Sequence, residues 1–188
     1  AIMAMPAPVG PPRLVLVGYS KGTPDILEAL VRYPEIRPRV AAMVSVAGAV
    51  GGSPLANDAT RQQADLLRHW PGSHCDSGDG DAVASLRPDV RKAWLAANAL
   101  PAGLRYYTVV TLPDRARISR IVAPTYRKLA KIDSRNDSQV IYGDQFVPGS
   151  TLLAFLNADH WAVAVPVNRS HPLIGSTFAD QNDYPREA

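Results

Sequence analysis

The apolar positions of this chain fall into four short runs, at residues 14–17, 40–47, 104–112 and 151–156, and segments with helical spacing lie between them. The first two runs are almost continuously apolar, which is typical of strands buried on both faces of a parallel sheet. The third is rich in Tyr, Thr and Val, which favour strands. Strands that alternate with helices predict an α/β fold with a mostly parallel sheet.

Residues 53–100 differ from the rest of the chain, because no strand pattern occurs in them. We expect a polar helix at 58–70, a Gly/Asp-rich loop at 71–82 and a further helix at 88–98. This segment is inserted between the second and third strands, so it would lie over the carboxyl edge of the sheet, where such folds place their sites. Another helix is expected later in the chain, at 119–131.

Length and composition narrow the possible functions. At 188 residues the chain suits one domain with a sizeable core, and its 46% hydrophobic and 20% charged residues are values of a globular protein. No apolar run approaches the length that spans a bilayer. The net charge of +3 is small and the basic residues are scattered, so no nucleic-acid partner is predicted. The single Cys75 excludes an internal disulfide, and the proline-rich residues 1–12 indicate a linker or loop.

A serine stands at the turn between the first strand and the helix after it, in the sequence Gly18-Tyr-Ser-Lys-Gly22. A strand, a sharp turn and a helix with a serine at the apex form the context of a nucleophile elbow. We expect a side chain at position 18 or 22 to collide with the neighbouring strand or helix, so that both positions need glycine. Such a turn lifts the Ser20 hydroxyl clear of the sheet, and the first helical N–H groups point towards it.

A serine hydroxyl needs a base that removes its proton, and the chain has four histidines. His69 and His74 lie in the insert, too early in the chain for a base delivered from the edge of the sheet. His160 follows the last strand, where a loop at the carboxyl end would project it towards Ser20. We therefore predict that His160 is the base, with His171 as the reserve.

The base in turn needs an acid that holds its tautomer, and the candidates are Asp133, Asp137, Asp144 and Asp159. Asp137 lies in a polar loop after the third strand and its helix, so it can approach His160 from the adjacent strand end. Asp159 is next to His160 in sequence, which makes a bond to the imidazole geometrically awkward. Asp144 precedes a Pro-Gly pair and suits a turn. We predict Asp137, with Asp144 as the second choice.

Three motifs together resemble those of the serine hydrolases of the α/β-hydrolase superfamily, on the lipase and esterase side. They are Gly18-Tyr-Ser-Lys-Gly22, Asn136-Asp137 and Ala158-Asp-His-Trp161, and the resemblance runs from about residue 13 to residue 165. It implies an α/β-hydrolase sheet in which residues 53–100 form a helical cap that shapes the substrate pocket.

The resemblance also implies a reaction, the cleavage of carboxylic esters of small molecules or lipids through an acyl-enzyme intermediate. Ser20 would be the nucleophile, Asp137 the acid and His160 the base, and the amide of Lys21 would be one oxyanion donor. The His and Cys residues of the insert match no zinc spacing, so neither a metal nor a cofactor is predicted. A thioesterase, peptidase or acyltransferase would use the same triad.

The chain departs from the superfamily before the elbow. Members normally have several strands there, whereas 19 residues precede Ser20 and none of them spells a His-Gly or Gly-Gly oxyanion motif. We expect this to be the carboxyl-terminal part of a longer protein, or one chain of a divided one. A preceding segment or a partner chain would complete the sheet, because a sheet that ends at the elbow strand leaves an open apolar edge. The alternative function is a non-catalytic domain that keeps the fold and acts by binding.

Overall fold

The computed structural model describes residues 14–58 and 80–185. The linker expected at 1–12 lies outside the described residues. So do all but the first residue of the helix expected at 58–70, and most of the loop expected at 71–82. His69, His74 and Cys75 also lie outside them.

Among the described residues, four strands form one parallel sheet. They are β1 (Leu14–Tyr19), β2 (Val40–Val46), β3 (Arg105–Thr111) and β4 (Thr151–Leu156). Their order in the sheet is the same as their order in the chain, and each neighbouring pair is parallel. The predicted α/β fold with a parallel sheet is confirmed. All four carboxyl ends lie at one edge, so the loops after these strands meet there.

The helices between and after the strands are mostly short. In chain order, those within the described residues are α1 (Gly22–Arg32), α2 (Leu55–Asp58), α3 (Asp81–Ala84), α4 (Pro88–Ala97), α5 (Ala123–Leu129), α6 (His160–Ala164), α7 (Val167–Ser170) and α8 (Pro172–Thr177). In the part of the chain that the structure describes, three 3-10 segments lie at Pro34–Arg39, Arg115–Arg117 and Tyr142–Gln145. None of the helices in the described ranges has the length and hydropathy that crossing a bilayer requires.

The helix expected at 119–131 is wrong in its bounds, since α5 begins four residues later. The backbone N–H groups of residues 119 and 120 donate to the side chains of Asp159 and Asp180, at 2.9 Å each. The next N–H group, of Ile121, donates to the Phe178 carbonyl oxygen. These donors are used by residues far away in sequence, which a local pattern does not reveal.

The core lies between α1 and one face of the sheet. Leu27 and Leu30 of α1 and Met43 of β2 are fully buried in it, and Leu16 of β1 packs against them. The amphipathic pattern of α1 explains this packing, because its apolar residues recur at helical spacing on the side towards the sheet.

The expectation that the first strand is buried on both faces is wrong. Val15 and Val17 are 56% and 63% exposed. Side chains alternate along a strand, so these two point to the face opposite Leu16 and α1. In the described sheet β1 is an edge strand that pairs with β2 alone. A continuous apolar run does not distinguish an edge strand from a central one.

Candidate active site

Ser20 occupies the turn between β1 and α1 in a left-handed backbone conformation, with φ of 51°. Its N–H donates to the Val46 carbonyl oxygen at 3.2 Å. Its own carbonyl oxygen accepts from the N–H groups of Thr23 at 3.2 Å and Ala49 at 3.1 Å. A non-glycine residue in this conformation costs about 1–3 kcal/mol, and it persists only where the surroundings fix it. These three hydrogen bonds fix the strained turn that carries the serine.

The two glycines of the motif differ in what the structure demands of them. A Cβ at Gly18 would lie 2.7 Å from the Thr23 Cα atom, a backbone contact too short to exist. A Cβ at Gly22 would meet nothing within 4 Å, so the expectation that a side chain there collides is wrong. The close approach involves the last residues of the strand, whereas Gly22 is already the first residue of α1.

His160 is the first residue of α6, and the residue before it caps this helix. The Asp159 Oδ1 atom accepts from the N–H groups of Trp161 at 3.0 Å and Ala162 at 2.9 Å. Its Oδ2 atom accepts from the Ser119 N–H. The Asp159 carboxylate is therefore occupied as an N-cap and faces backbone donors.

The imidazole of His160 lies between Ser20 and Asp137. Its Nε2 atom is 2.8 Å from the Ser20 Oγ atom, and its Nδ1 atom is 2.7 Å from the Asp137 Oδ2 atom. His160 is 3% exposed and Asp137 is fully buried. A carboxylate accepts only, so the network assigns the proton to Nδ1 and leaves Nε2 free to accept from the serine hydroxyl. The structure thus brings together the three residues that the sequence selected.

The Asp137 carboxylate is held from three further directions. Its Oδ1 atom accepts from the backbone N–H groups of Gln139 at 2.9 Å and Val140 at 2.7 Å. Its Oδ2 atom accepts from the Thr111 Oγ1 hydroxyl at 2.5 Å. Ser138, which lies between Asp137 and Gln139, has a left-handed φ of 85°. This turn directs the N–H groups of Gln139 and Val140 at the Asp137 carboxylate. The backbone also links the two loops, since the His160 N–H donates to the Asp137 carbonyl oxygen at 2.8 Å.

The other aspartates considered from the sequence have different partners. Asp144 lies 3.6 Å from the Lys92 ammonium, and burial raises the pKa of its carboxyl against the opposing effect of that lysine. Asp133 accepts from the Arg135 guanidinium, which lowers the pKa of its carboxyl. The reserve histidine, His171, is hydrogen-bonded to the Ser170 hydroxyl at 3.0 Å.

Sequence reasoning missed Tyr19, which lies beside the histidine. Its hydroxyl donates to the His160 carbonyl oxygen at 2.6 Å, and the two ring centroids are 5.0 Å apart. Thr111 and Gln145 were missed as well. Tyr19 occupies one of the two variable positions of the serine motif and Thr111 ends a strand, so position alone could have suggested both of them.

The backbone and the side chain of Lys21 have different surroundings. The first intrahelical hydrogen bond of α1 runs from the Asp25 N–H to the Lys21 carbonyl oxygen, so the Lys21 N–H lies before the helical ladder begins. The Lys21 ammonium is paired with the Asp25 carboxylate at 2.6 Å. Within residues 14–58 and 80–185, no cluster of three or more His, Cys, Asp or Glu side chains is arranged to hold a metal ion.

Comparison with solved structures identifies the fold. The chain superposes on a metagenomic carboxyl esterase, MGS0156, with a TM-score of 0.87 and 42% sequence identity, over 98% of this chain and 55% of that one. The chain has an esterase-like α/β-hydrolase fold. A Bacillus licheniformis lipase, BlEst2 in its mature form, shares this α/β-hydrolase fold at 22% identity, with a TM-score of 0.63 over 88% of this chain and 65% of the lipase.

The α/β-hydrolase resemblance predicted from the motifs is thereby confirmed at the level of the fold. The chain spans about half the length of the esterase and just under two thirds of that of the lipase. No protein-family profile matches this chain, and no curated protein matches it significantly.

Proposed function

We propose that this protein hydrolyses carboxylic esters, with Ser20 as the nucleophile, His160 as the general base and Asp137 as the residue that orients the base. One observation carries the proposal: the continuous hydrogen-bonded path from the Ser20 Oγ atom through the imidazole to the buried carboxylate. The likeness to a carboxyl esterase at 42% identity supports the same chemistry. A nucleophile and a base within hydrogen-bonding distance, with a third group orienting the base, are what covalent catalysis needs.

In the first half of the reaction the His160 Nε2 atom takes the proton of the Ser20 hydroxyl as the oxygen attacks the ester carbonyl carbon. The imidazolium that forms is stabilised by Asp137, whose negative charge is buried and therefore weakly screened by solvent. The tetrahedral intermediate collapses when the imidazolium gives its proton to the departing alkoxide. An alcohol leaves, and the acyl group remains on the serine oxygen.

In the second half a water molecule takes the place of the alcohol. His160 removes a proton from the water as its oxygen attacks the acyl carbon, and it then returns that proton to the Ser20 oxygen. The products are a carboxylic acid and the free enzyme. We assign one oxyanion donor to the Lys21 N–H, because it directly follows the nucleophile and lies before the hydrogen-bonded part of α1.

We further propose that residues 53–100 form a cap that shapes the pocket for a small-molecule or lipid ester. The described part of this segment consists of α2, α3 and α4, and it contains no strand. Its Ser53 hydroxyl donates to the Gln139 carbonyl oxygen at 2.5 Å, so the start of the segment contacts the loop that carries the acid. This contact supports a position over the carboxyl edge of the sheet.

The completion of the sheet is also a proposal. β1 is an edge strand in the described sheet, and Val15 and Val17 expose apolar side chains on the sheet face opposite α1. A preceding segment of polypeptide that pairs with β1 would remove the open edge. Nothing in the comparisons supports the other expectation, a separate partner chain.

The test of the proposed function uses the complete protein, p-nitrophenyl esters of short and long acids, and a fluorophosphonate that labels activated serines. We expect the wild type to turn over an ester and to take up one label, and Ser20→Ala to lose both. Ser176→Ala is the matched control, since the Ser176 hydroxyl is exposed and donates to the Leu173 carbonyl oxygen in α8. Labelling of the Ser20→Ala variant, or a wild type that neither labels nor turns over, would contradict the proposal.

A further inference from the structure

The Asp137 oxygen that faces the imidazole has a second donor. Its Oδ2 atom accepts from the His160 Nδ1–H at 2.7 Å and from the Thr111 hydroxyl at 2.5 Å. We propose that Thr111 is a positioning residue for the ester hydrolysis described above. Thr111 acts through Asp137 and sets how strongly the Asp137 carboxylate attracts the proton of His160. The inference rests on the proposed function for its meaning, but the contact itself is independent of activity.

Thr111 can act in this way because its own backbone is fixed by Gln145. The Gln145 Oε1 atom accepts from the Thr111 N–H at 2.9 Å, and the Gln145 Nε2 atom donates to the Thr111 carbonyl oxygen at 2.9 Å. The pairing of β2 with β3 ends at Val46 and Val109. Beyond that point the side-chain amide of Gln145 takes the place of β2 as the hydrogen-bond partner of the Thr111 backbone. Thr111 and Gln145 are both fully buried.

The Thr111 hydroxyl has one proton and two acceptors within reach. The Gln145 Oε1 atom lies 3.1 Å from it, and the Asp137 Oδ2 atom lies at 2.5 Å. Hydrogen bonds to a charged acceptor are shorter and stronger than those to a neutral one, which assigns the proton to the carboxylate. The side chain of Gln145 therefore holds the threonine while leaving its hydroxyl proton to Asp137.

The hydrogen-bonding sites of the Asp137 carboxylate are all occupied. Two backbone N–H groups bind one oxygen, and the imidazole and the threonine hydroxyl bind the other, which uses about all of the four lone-pair sites of a carboxylate. In a fully buried site, loss of one donor is not repaired by solvent. Without the Thr111 hydroxyl the carboxylate keeps its two backbone donors, but the oxygen that faces the imidazole is fixed less firmly and its charge acts on His160 undiminished by the hydroxyl dipole.

The other titratable groups around Asp137 and His160 already have hydrogen-bond or ion-pair partners. Tyr19 faces His160 from β1 and donates its hydroxyl proton to the His160 carbonyl oxygen. Asp159, at the start of α6, accepts from three backbone N–H groups, and Lys21, at the start of α1, is paired with Asp25. Substitution of Thr111 leaves these arrangements in place, so a change in pH dependence reports on the Thr111 contact.

The experiment compares Thr111→Val, which keeps the shape and loses the hydroxyl, with Thr111→Ser, which keeps the hydroxyl. For Thr111→Val we expect kcat to fall about 10- to 100-fold with little change in KM, because one buried hydrogen bond to a charged group is lost. We also expect the acid limb of kcat/KM to move up by about 0.5 to 1 pH unit, since the imidazolium is then held more strongly. Thr111→Ser should retain wild-type kcat within about threefold and the wild-type profile.

A second readout does not depend on turnover. The proton between the His160 Nδ1 atom and Asp137 should give a low-field NMR resonance, and Thr111→Val should move it while Thr111→Ser should not. If no ester is hydrolysed but the resonance moves, the proposed function fails, whereas the effect of Thr111 on the hydrogen bond between His160 and Asp137 stands. If the wild type is active and Thr111→Val changes neither the pH profile nor the resonance, the Thr111 inference is wrong. Should Thr111→Val fail to fold, Thr111→Ala carries the same expectations.

Discussion

The Thr23 hydroxyl donates to the Gly18 carbonyl oxygen at 2.8 Å, and this bond ties the beginning of α1 to the end of β1 across the turn that carries the serine. The same hydroxyl lies 3.2 Å from the Ser45 hydroxyl of the neighbouring strand. Both contacts are buried, so the elbow is fixed by side-chain hydrogen bonds as well as by its backbone. The close approach of Thr23 to the strand is possible because position 18 has no side chain.

The two glycines of the elbow should therefore respond differently to alanine. Gly18→Ala forces the Thr23 backbone to move, so we expect a loss of about 1–3 kcal/mol in unfolding free energy and a fall in kcat on the order of 100-fold. Gly22→Ala adds a methyl group into open space, and we expect stability to be unchanged or raised by up to about 1 kcal/mol. Urea denaturation and ester turnover measure both effects. Equal damage from the two variants would contradict this account.

The assignment of Asp137 as the acid can be tested against Asp159, the aspartate next to His160 in sequence. Asp137→Asn should lower kcat by roughly 10³- to 10⁴-fold, because an amide no longer holds the catalytic tautomer of His160. Asp159→Asn is the matched control, since that carboxylate caps α6 and does not contact the imidazole. We expect it to cost about 1–3 kcal/mol of stability and to leave most of kcat in the folded protein. The reverse pattern would transfer the role to Asp159.

The backbone at Ser138 carries strain that a substitution can release. Its φ of 85° is unfavourable for a residue with a side chain, and its buried hydroxyl has no hydrogen-bond partner within residues 14–58 and 80–185. We expect Ser138→Gly to raise the unfolding free energy by about 1 kcal/mol, after the greater freedom of glycine in the unfolded chain is subtracted. Ser138→Ala removes only the hydroxyl and should gain less. A Ser138→Gly variant that is less stable than Ser138→Ala would show that this conformation carries no strain.

The buried carboxyl group of Asp144 should make the unfolding free energy of the protein depend on pH. Burial raises the pKa of its carboxyl above the usual 3.8, so in the window above that value the folded state binds its proton more tightly than the unfolded state does. The contribution of this group to the unfolding free energy therefore falls as the pH rises through the folded-state pKa, and is constant above it. Asp144→Asn should abolish this component in urea titrations from pH 3 to pH 7. Lys92→Met should enlarge it, because the nearby ammonium opposes the shift.

The parts of the fold that local patterns predicted are those whose physical cause is local. The strand–turn–helix unit around Ser20 follows from an apolar run, a turn with glycine and an amphipathic helix, and the structure contains it as β1 and α1. The bounds of α5 were not predictable in this way, because Asp159 and Asp180 capture the N–H groups before it. The exposure of Val15 and Val17 was missed for the same reason, since the neighbours of a strand are set by the whole sheet.

By itself, the sequence determined the candidate chemistry: a serine in an elbow, a histidine after the last strand and a short set of aspartates. Only the tertiary structure decided which aspartate faces the imidazole, because residues 137 and 160 meet through loops at neighbouring strand ends. It also decided the roles of Thr111, Gln145 and Tyr19, whose contacts join residues 26 to 141 positions apart. Patterns record spacing along the chain, whereas hydrogen bonds in a buried site depend on distances of a few ångströms that the packed sheet alone establishes.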